Sequence, residues 1–323
     1  MKNELKTLSD AIRYFDNEQV CIDTVAAMRW PNGPACPACL SPESRQHWLK
    51  TQRRWQCREC GKQYSVKVNT IFEDSAVKLD KWLTAMWLLA NCKNGISSYE
   101  IGRSVGITQK SAWFMLQRIR LAMKNKSVLK LGYQGGPVEM DETFIGGKVK
   151  NMHKAKKPVG TGFSGRATGS MAKTIVVGML ERKGRVRAEV VIDRTKPVLH
   201  AIANKHIHPG ASVVTDEHGG YEGIKFEHAV INHAVEYVDG QVHTNGIENF
   251  WSLLKRGLHG TYVAVEPFHL ERYIDEQVFR FNNRATKDNP LTDRDRFMLA
   301  LSQISGKRLT YAELTGKVGE SAF

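Results

Sequence analysis

The apolar positions along the chain change period as it proceeds. Leu5, Leu8, Ile12 and Phe15 recur at spacings of three and four and predict one or two short helices within residues 1–30. Pro31-Asn-Gly-Pro34 then breaks the chain, and residues 31–66 are turn-rich with no sustained period. From Leu79 to Met123 the helical period returns, with helices expected over about 79–92, 98–104 and 109–124. Ser97 followed by Glu100 has capping-box spacing, Gly106 falls in the turn, and Thr108 can cap the last helix. That spacing predicts a helix-turn-helix module over residues 67–130.

Beyond the Gly-rich linker at 131–137 the apolar period becomes two. Residues 138–144, 174–180, 185–192 and 211–215 read as strands, whereas 197–206, 245–257 and 269–283 read as helices. Residues 148–173 are rich in Lys and Gly, carry no period, and read as a loop. Strands interleaved with helices predict a mixed α/β domain over residues 131–290, with 291–323 as a C-terminal tail. No internal repeat is present.

Composition narrows the class. The chain has 323 residues, 41% of them hydrophobic, enough for several cores. Its longest apolar run, 82–90, is interrupted by Thr84 and is about half the length a bilayer requires. Residues 1–10 are polar, unlike a secretory signal, so a cytoplasmic protein with no membrane partner is expected. In that reducing compartment the six cysteines read as metal ligands or buried thiols.

The net charge of +14 is segregated. Residues 45–67 carry seven Lys/Arg against the single acid Glu59, while 101–130 and 148–173 each carry seven against none. Three such blocks together match a protein that tracks a phosphate backbone better than they match scattered solvated faces. The basic residues singled out as DNA contacts are Arg53, Arg54 and Arg58, then Lys110, Arg118 and Arg120, then Lys154, Lys156 and Lys157.

Cys36-Pro-Ala-Cys39 and Cys57-Arg-Glu-Cys60, seventeen residues apart, have the spacing of a closed four-cysteine zinc site over residues 31–66. A unit this small cannot bury enough surface to fold alone, and structural zinc supplies on the order of 10 kcal/mol. A redox pair or a catalytic zinc is the alternative. Arg45, Arg53, Arg54 and Arg58, interleaved with Trp48 and Trp55, make its surface a candidate for nucleic acid or, alternatively, for protein. Cys21 and Cys92 are isolated and read as buried small hydrophobes.

Acidic residues mark the other site. Alternation puts Asp141 and Glu142 on opposite faces of their strand, so only one can face a site. Asp216 ends an apolar strand, where α/β sheets present ligands; a turn-capping aspartate is the plain alternative. Residues 245–257 form an amphipathic helix with Ile247, Phe250, Trp251, Leu254 and Leu258 as its apolar stripe, and Glu248, Ser252 and Lys255 along another face. Asn245 is a candidate cap, which leaves open that Glu248 serves only as its capping-box acid. Three carboxylates from two strands and one helix can hold two divalent ions about 4 Å apart for displacement at phosphorus. Their hard oxygens favour magnesium or manganese, and Lys255 would contact phosphate.

Taken together, the four-cysteine ribbon, the helical module, Met-Asp-Glu-Thr-Phe-Ile-Gly-Gly from Met140, Asp216 with Tyr221 five residues on, and Asn-Gly-Ile-Glu-Asn-Phe-Trp-Ser-Leu-Leu-Lys-Arg-Gly-Leu-His-Gly-Thr-Tyr262 resemble the ISXO-like insertion-sequence transposases. The resemblance covers about residues 15–285. It implies a ribonuclease H-like catalytic domain with an Asp-Asp-Glu triad and a following lysine, falling on Asp141, Asp216, Glu248 and Lys255. It also implies the reaction: water hydrolyses a strand at the element's end, and the freed 3′ hydroxyl attacks target DNA. The partners implied are the terminal inverted repeats, target DNA and further copies of the chain. A DNA-binding regulator derived from a transposase, or a nuclease of the same fold without strand transfer, are the rival readings. His259-Gly-Thr-Tyr262 and Asn282-Asn283-Arg284 belong to the family pattern, without an evident role.

Overall fold

A computed structural model describes residues 5–124, 127–133, 135–147, 173–231, 243–287 and 289–317. The chain forms two compact units, 1–124 with 283–323 and 125–282. Among the described residues no helix is long and apolar enough to cross a membrane.

The first unit opens with α1 (Leu8–Phe15) and α2 (Glu18–Arg29). Thr7 and Asp10 form a capping box on α1, and Asn17 caps α2. The buried line of α1 is Ala11 and Phe15, while Leu8 and Ile12 flank it in solvent, so only part of the expected stripe faces a core. A three-stranded antiparallel sheet follows: β1 (Gln46–Leu49), β2 (Arg54–Cys57) and β3 (Gln63–Tyr64). Its register sets Trp48 opposite Trp55 and Trp55 opposite Tyr64. With Trp30 these rings form a small aromatic core, with centroids 4.5–6.0 Å apart. Trp55 is therefore packing rather than a base-stacking surface.

Next come α3 (Leu79–Asn91), α4 (Ser98–Val105) and α5 (Gln109–Met123). The predicted signals are in place. The Ser97–Glu100 box closes with bonds of 2.8 and 3.2 Å, Gly106 ends α4 at φ +64°, and Thr108 caps α5. Helix α3 buries Trp82, Leu83, Met86, Trp87 and Leu89 on several sides, which makes it the central helix of this unit.

The second unit holds a five-stranded mixed sheet. Its strands are β4 (Val138–Ile145), β5 (Thr174–Glu181), β6 (Val186–Val191), β7 (Ser212–Asp216) and β8 (Glu227–Ile231), in the order β6-β5-β4-β7-β8. The β4–β5–β6 meander is antiparallel, and β7 and β8 run parallel to β4. Strand β8 is absent from the sequence expectation because Glu-His-Ala-Val-Ile, half-exposed at the edge, barely alternates. Helix α6 (Lys196–His206) packs Leu199, Ile202 and Ala203 on Val138, Met140 and Val213. On the other face, α7 (Asn245–Gly257) and α8 (Leu270–Asn282) pack Ile247, Phe250, Trp251, Ile274 and Phe281 on Val176 and Leu180.

The chain then returns to the first unit. Helix α9 (Asp293–Ser302) inserts Phe297 between Phe15 and Trp87, with centroids 5.4 and 5.6 Å away, and α10 (Tyr311–Leu314) buries Leu314. Asn91 donates to the Asp293 carbonyl at 3.1 Å, and Ile71 pairs with the Ile304 carbonyl. The expected division into 1–30, 31–66, 67–130, 131–290 and 291–323 thus condenses to two units. The segment read as a tail is part of the first unit's core, because its Phe297, Ala300 and Leu301 are fully buried.

Candidate active site and zinc centre

Strand β4 carries acidic side chains on both faces. Val138 pairs with Val213 of β7, and both lie in the cluster beneath α6. Three residues on, Asp141 points to the opposite face, where Trp251 of α7 meets it, and the parallel register, if continued, would bring Asp216 to the neighbouring position. Burial pushes the Asp141 carboxyl up to about 6, and the charges of Glu142 and Asp216 push the same way. Two donors oppose the shift: the Trp251 indole N–H to Oδ2 at 2.9 Å and the Glu142 amide to Oδ1 at 2.8 Å.

Helix α7 is tied to β4 at two points. The Ile247 amide donates to Glu139 Oε2 at 2.9 Å, so a carboxylate from the sheet takes one of the unsatisfied N–H groups of the helix's first turn. Glu139 is 1% exposed, and its other oxygen pairs with Arg182 at 3.3 Å and lies 3.5 Å from His243 Nδ1. Gly246 allows this approach, since a Cβ there would come within 2.7 Å of Glu139 Oε2. The second tie is Trp251 to Asp141, four residues along the helix. Sequence reasoning missed both ties. Glu139 stands two residues before Asp141, on the same face by alternation, and that spacing was the available signal.

Glu248 lies between the ties and is exposed. At about 100° per residue, Glu248 and Lys255 share the flank beside Trp251. The helix spans 245–257 as expected, but its cap is Thr244 rather than Asn245, which is already helical. Thr244 has no side-chain capping bond; its hydroxyl instead donates to Glu248 Oε1 at 3.1 Å. A capping-box role for Glu248 is thereby removed. The three carboxylates are not drawn into one cluster. Among the described residues, the set of metal-ligating groups gathered within 4.8 Å is the four cysteines.

Across the sheet, Glu142 has a 3% exposed side chain that accepts from Tyr221 Oη at 2.6 Å and from Arg194 at 3.1 Å. Burial and the neighbouring carboxylates hold the Tyr221 hydroxyl well above its ordinary value, so it donates as a neutral phenol. Asp216 Oδ1 accepts the His218 amide at 3.1 Å, and His218 Nδ1 accepts the Gly220 amide at 3.0 Å. These bonds pin the turn after β7. Beside it lies a cavity of about 410 Å³ lined by Asp216, His218, Tyr221 and His228.

At the other site, Cys36 and Cys60 stand 3.6 Å apart at sulfur, as do Cys39 and Cys57. A tetrahedron of thiolates at the ~2.3 Å zinc–sulfur distance has edges of ~3.8 Å, so the donor set fits zinc. Each knuckle is a tight turn: the Leu40 amide reaches the Cys36 carbonyl and the Gly61 amide the Cys57 carbonyl, with Leu40 at φ +59° and Gly61 at φ +70°. The Ser41 hydroxyl, 3.0 Å from Cys57 Sγ, and nearby amides lower that thiol to about 6, toward the thiolate a metal requires. Cys21 is buried, and burial pushes it up to about 12; Cys92 is only half-buried, short of the expected full burial.

Residues 134–282 match the family model for the ISXO2-like transposase domain, and residues 16–63 match that for the transposase zinc-ribbon domain. The chain carries an ISXO2-like transposase domain. Its matched end, residue 282, coincides with the end of the second unit. A protein of the transposable element ISH50 of Halobacterium salinarum is 25% identical over 256 residues, covering 76% of this chain and 85% of that protein.

The basic residues of the chain fall into three groups. Arg53, Arg54, Arg58 and Lys110 are exposed, with Arg53 paired to Glu18 and Lys110 5.0 Å over the Tyr311 ring. Arg118 and Arg120 are buried, which corrects their assignment as DNA contacts. Arg118 is spent on the Leu309 and Glu73 carbonyls at 2.9 and 2.8 Å, and Arg120 is 1% exposed. Lys154, Lys156 and Lys157 lie outside the described residues.

Proposed function

We propose that the protein cuts and joins DNA at the ends of an insertion sequence, with Asp141, Asp216 and Glu248 as ligands for Mg²⁺ or Mn²⁺ and Lys255 as a phosphate contact. The observation that supports this reading is the parallel pairing of β4 with β7, whose register, extended beyond Glu139 and Val214, would bring Asp141 and Asp216 to neighbouring positions on the sheet, with the Asp141 carboxylate meeting Trp251 of the helix that bears Glu248 and Lys255. The sheet order, a meander followed by two parallel strands, supports a ribonuclease H-like domain. The donor set fits hard cations: it is all carboxylate, and the raised Asp141 group is one whose charge a neighbouring cation would stabilise.

When bound, the ions supply Lewis acidity to the attacking and leaving oxygens of an in-line displacement. Asp141 and Asp216 present oxygens from rigid strands. Glu248, exposed on a flexible stem, can turn its carboxylate toward them without moving the helix. Lys255 holds a non-bridging phosphate oxygen on the same flank. Water attacks phosphorus and the P–O3′ bond breaks, leaving a 5′ phosphate and a 3′ hydroxyl. That hydroxyl then attacks a target phosphate, displacing its 3′ oxygen. The exposed ribbon arginines and Lys110 contact backbone phosphates, and further copies of the chain assemble on the two element ends.

The test is Asp141→Asn with terminal inverted-repeat DNA. Cleavage should fall at least about 10³-fold, several kcal/mol of transition-state stabilisation, while DNA affinity is retained or rises. Near-normal cleavage by this variant overturns the reading, and cleavage by the wild type without joining assigns a nuclease instead. Affinity for DNA should also fall ~10³-fold or more between roughly 50 and 200 mM salt if six or more phosphates are neutralised.

A further inference from the structure

We propose that Trp251 is a positioning residue for the cation site: its indole N–H fixes the Asp141 carboxylate and thereby sets the helix that carries Glu248 against it. This rests on the reading of Asp141 and Glu248 as cation ligands. Trp251 is 4% exposed, and its ring packs with the core between α7 and the sheet. Packing alone, however, does not aim a donor at a carboxylate, and here Nε1 stands 2.9 Å from Asp141 Oδ2. The opposite residue on β5 makes room for this. Gly178 pairs with Asp141 across the sheet, and a Cβ there would come within 2.6 Å of two indole carbons and 2.9 Å of Ile247. Only a glycine at that position lets the indole slide over the strand to its partner.

Two fixed donors act on the one carboxylate. Oδ2 takes the indole and Oδ1 takes the Glu142 amide at 2.8 Å. A carboxylate gripped at both oxygens cannot rotate, so its remaining lone pairs point to one place, which is how partners of metal ligands set affinity. Because Glu248 lies one turn before Trp251 on the same helix, the indole bond also fixes how far that glutamate stands from Asp141.

The experiment uses the full chain, wild type, W251F, G178A and D141N. Mn²⁺ affinity is measured by calorimetry, and the seven indole N–H resonances are followed by ¹⁵N NMR during a Mg²⁺ titration. W251F keeps an aromatic ring in the slot and removes the donor; G178A keeps the donor and crowds it away. Both should weaken Mn²⁺ binding about 10–100-fold with an unchanged far-UV spectrum. In the wild type, the indole resonance that W251F deletes should shift with Mg²⁺, a response that a merely packed tryptophan lacks. If W251F does not fold, G178A and the wild-type resonance still decide. Wild-type binding that D141N abolishes, with W251F and G178A unchanged and the resonance still, overturns the inference alone. Wild-type binding indifferent to D141N overturns the metal reading and this inference with it.

Discussion

The zinc ribbon and the proposed carboxylate site are built on opposite plans. The four thiols come from two tight turns within 25 residues, and their sulfurs already stand at near-tetrahedral spacing. The acids come from two strands and a helix spread over more than 100 residues, and among the described residues they are not gathered into one cluster. In the first case the metal substitutes for a core that the small unit lacks. In the second the core exists, and the sheet and α7 hold the ligands whether or not they are used. Structural and catalytic metals should therefore respond differently to the same treatment.

The largest effect expected is in the ribbon. Cys57→Ser, or a zinc chelator, removes a contribution on the order of 10 kcal/mol. Residues 31–66 should become protease-sensitive and the fluorescence of the Trp30, Trp48 and Trp55 cluster should red-shift, while the strands and helices of the second unit stay resistant. Equal loss in both units would erase the contrast. Stripping Mg²⁺ should leave both units folded.

A smaller effect is expected at the tie between β4 and α7. Glu139→Gln keeps an acceptor for the Ile247 amide but leaves Arg182 facing an amide, at a cost of about 2–4 kcal/mol in chemical denaturation. Cleavage should fall too, since the helix bearing Glu248 loses its anchor. An unchanged denaturation midpoint would show that the tie is incidental.

The smallest concerns pH. Asp141 titrates near 6 in the folded chain against about 3.8 unfolded, so the native state holds the extra proton between these values and stability falls as pH rises through that window. Without divalent ions, Asp141→Asn should melt a few degrees above wild type at pH 7.5 and level with it below about pH 4. Added Mg²⁺ should raise the wild-type melting temperature and not that of the variant. A wild type more stable than Asp141→Asn in metal-free buffer contradicts the buried setting of this group.

What could be read from the chain follows the same division. Ser97 with Glu100, Gly106, Thr108 and the paired cysteines act on neighbours a few residues away, and their spacing is their mechanism. Residues whose partners lie far along the chain gave no such signal. By residue type Arg118 reads as surface charge, because its carbonyl partners at Glu73 and Leu309 lie 45 and 191 residues away in the chain. Trp251 counted as one of an apolar stripe, and Glu139 went unremarked, because their roles depend on which strand α7 covers. Asn245 seemed the better cap by residue type, yet Thr244 took the position with its hydroxyl turned to Glu248.

Phe297 sits between Phe15 and Trp87, so the first unit is assembled from both sides of the transposase domain in the chain. During synthesis the ribosome must therefore make the whole of residues 125–282 before the helices around Trp87 receive their last core side chain. A message interrupted between Met123 and Phe297 yields a zinc ribbon joined to an unfinished helical bundle, and such a fragment should be aggregation-prone.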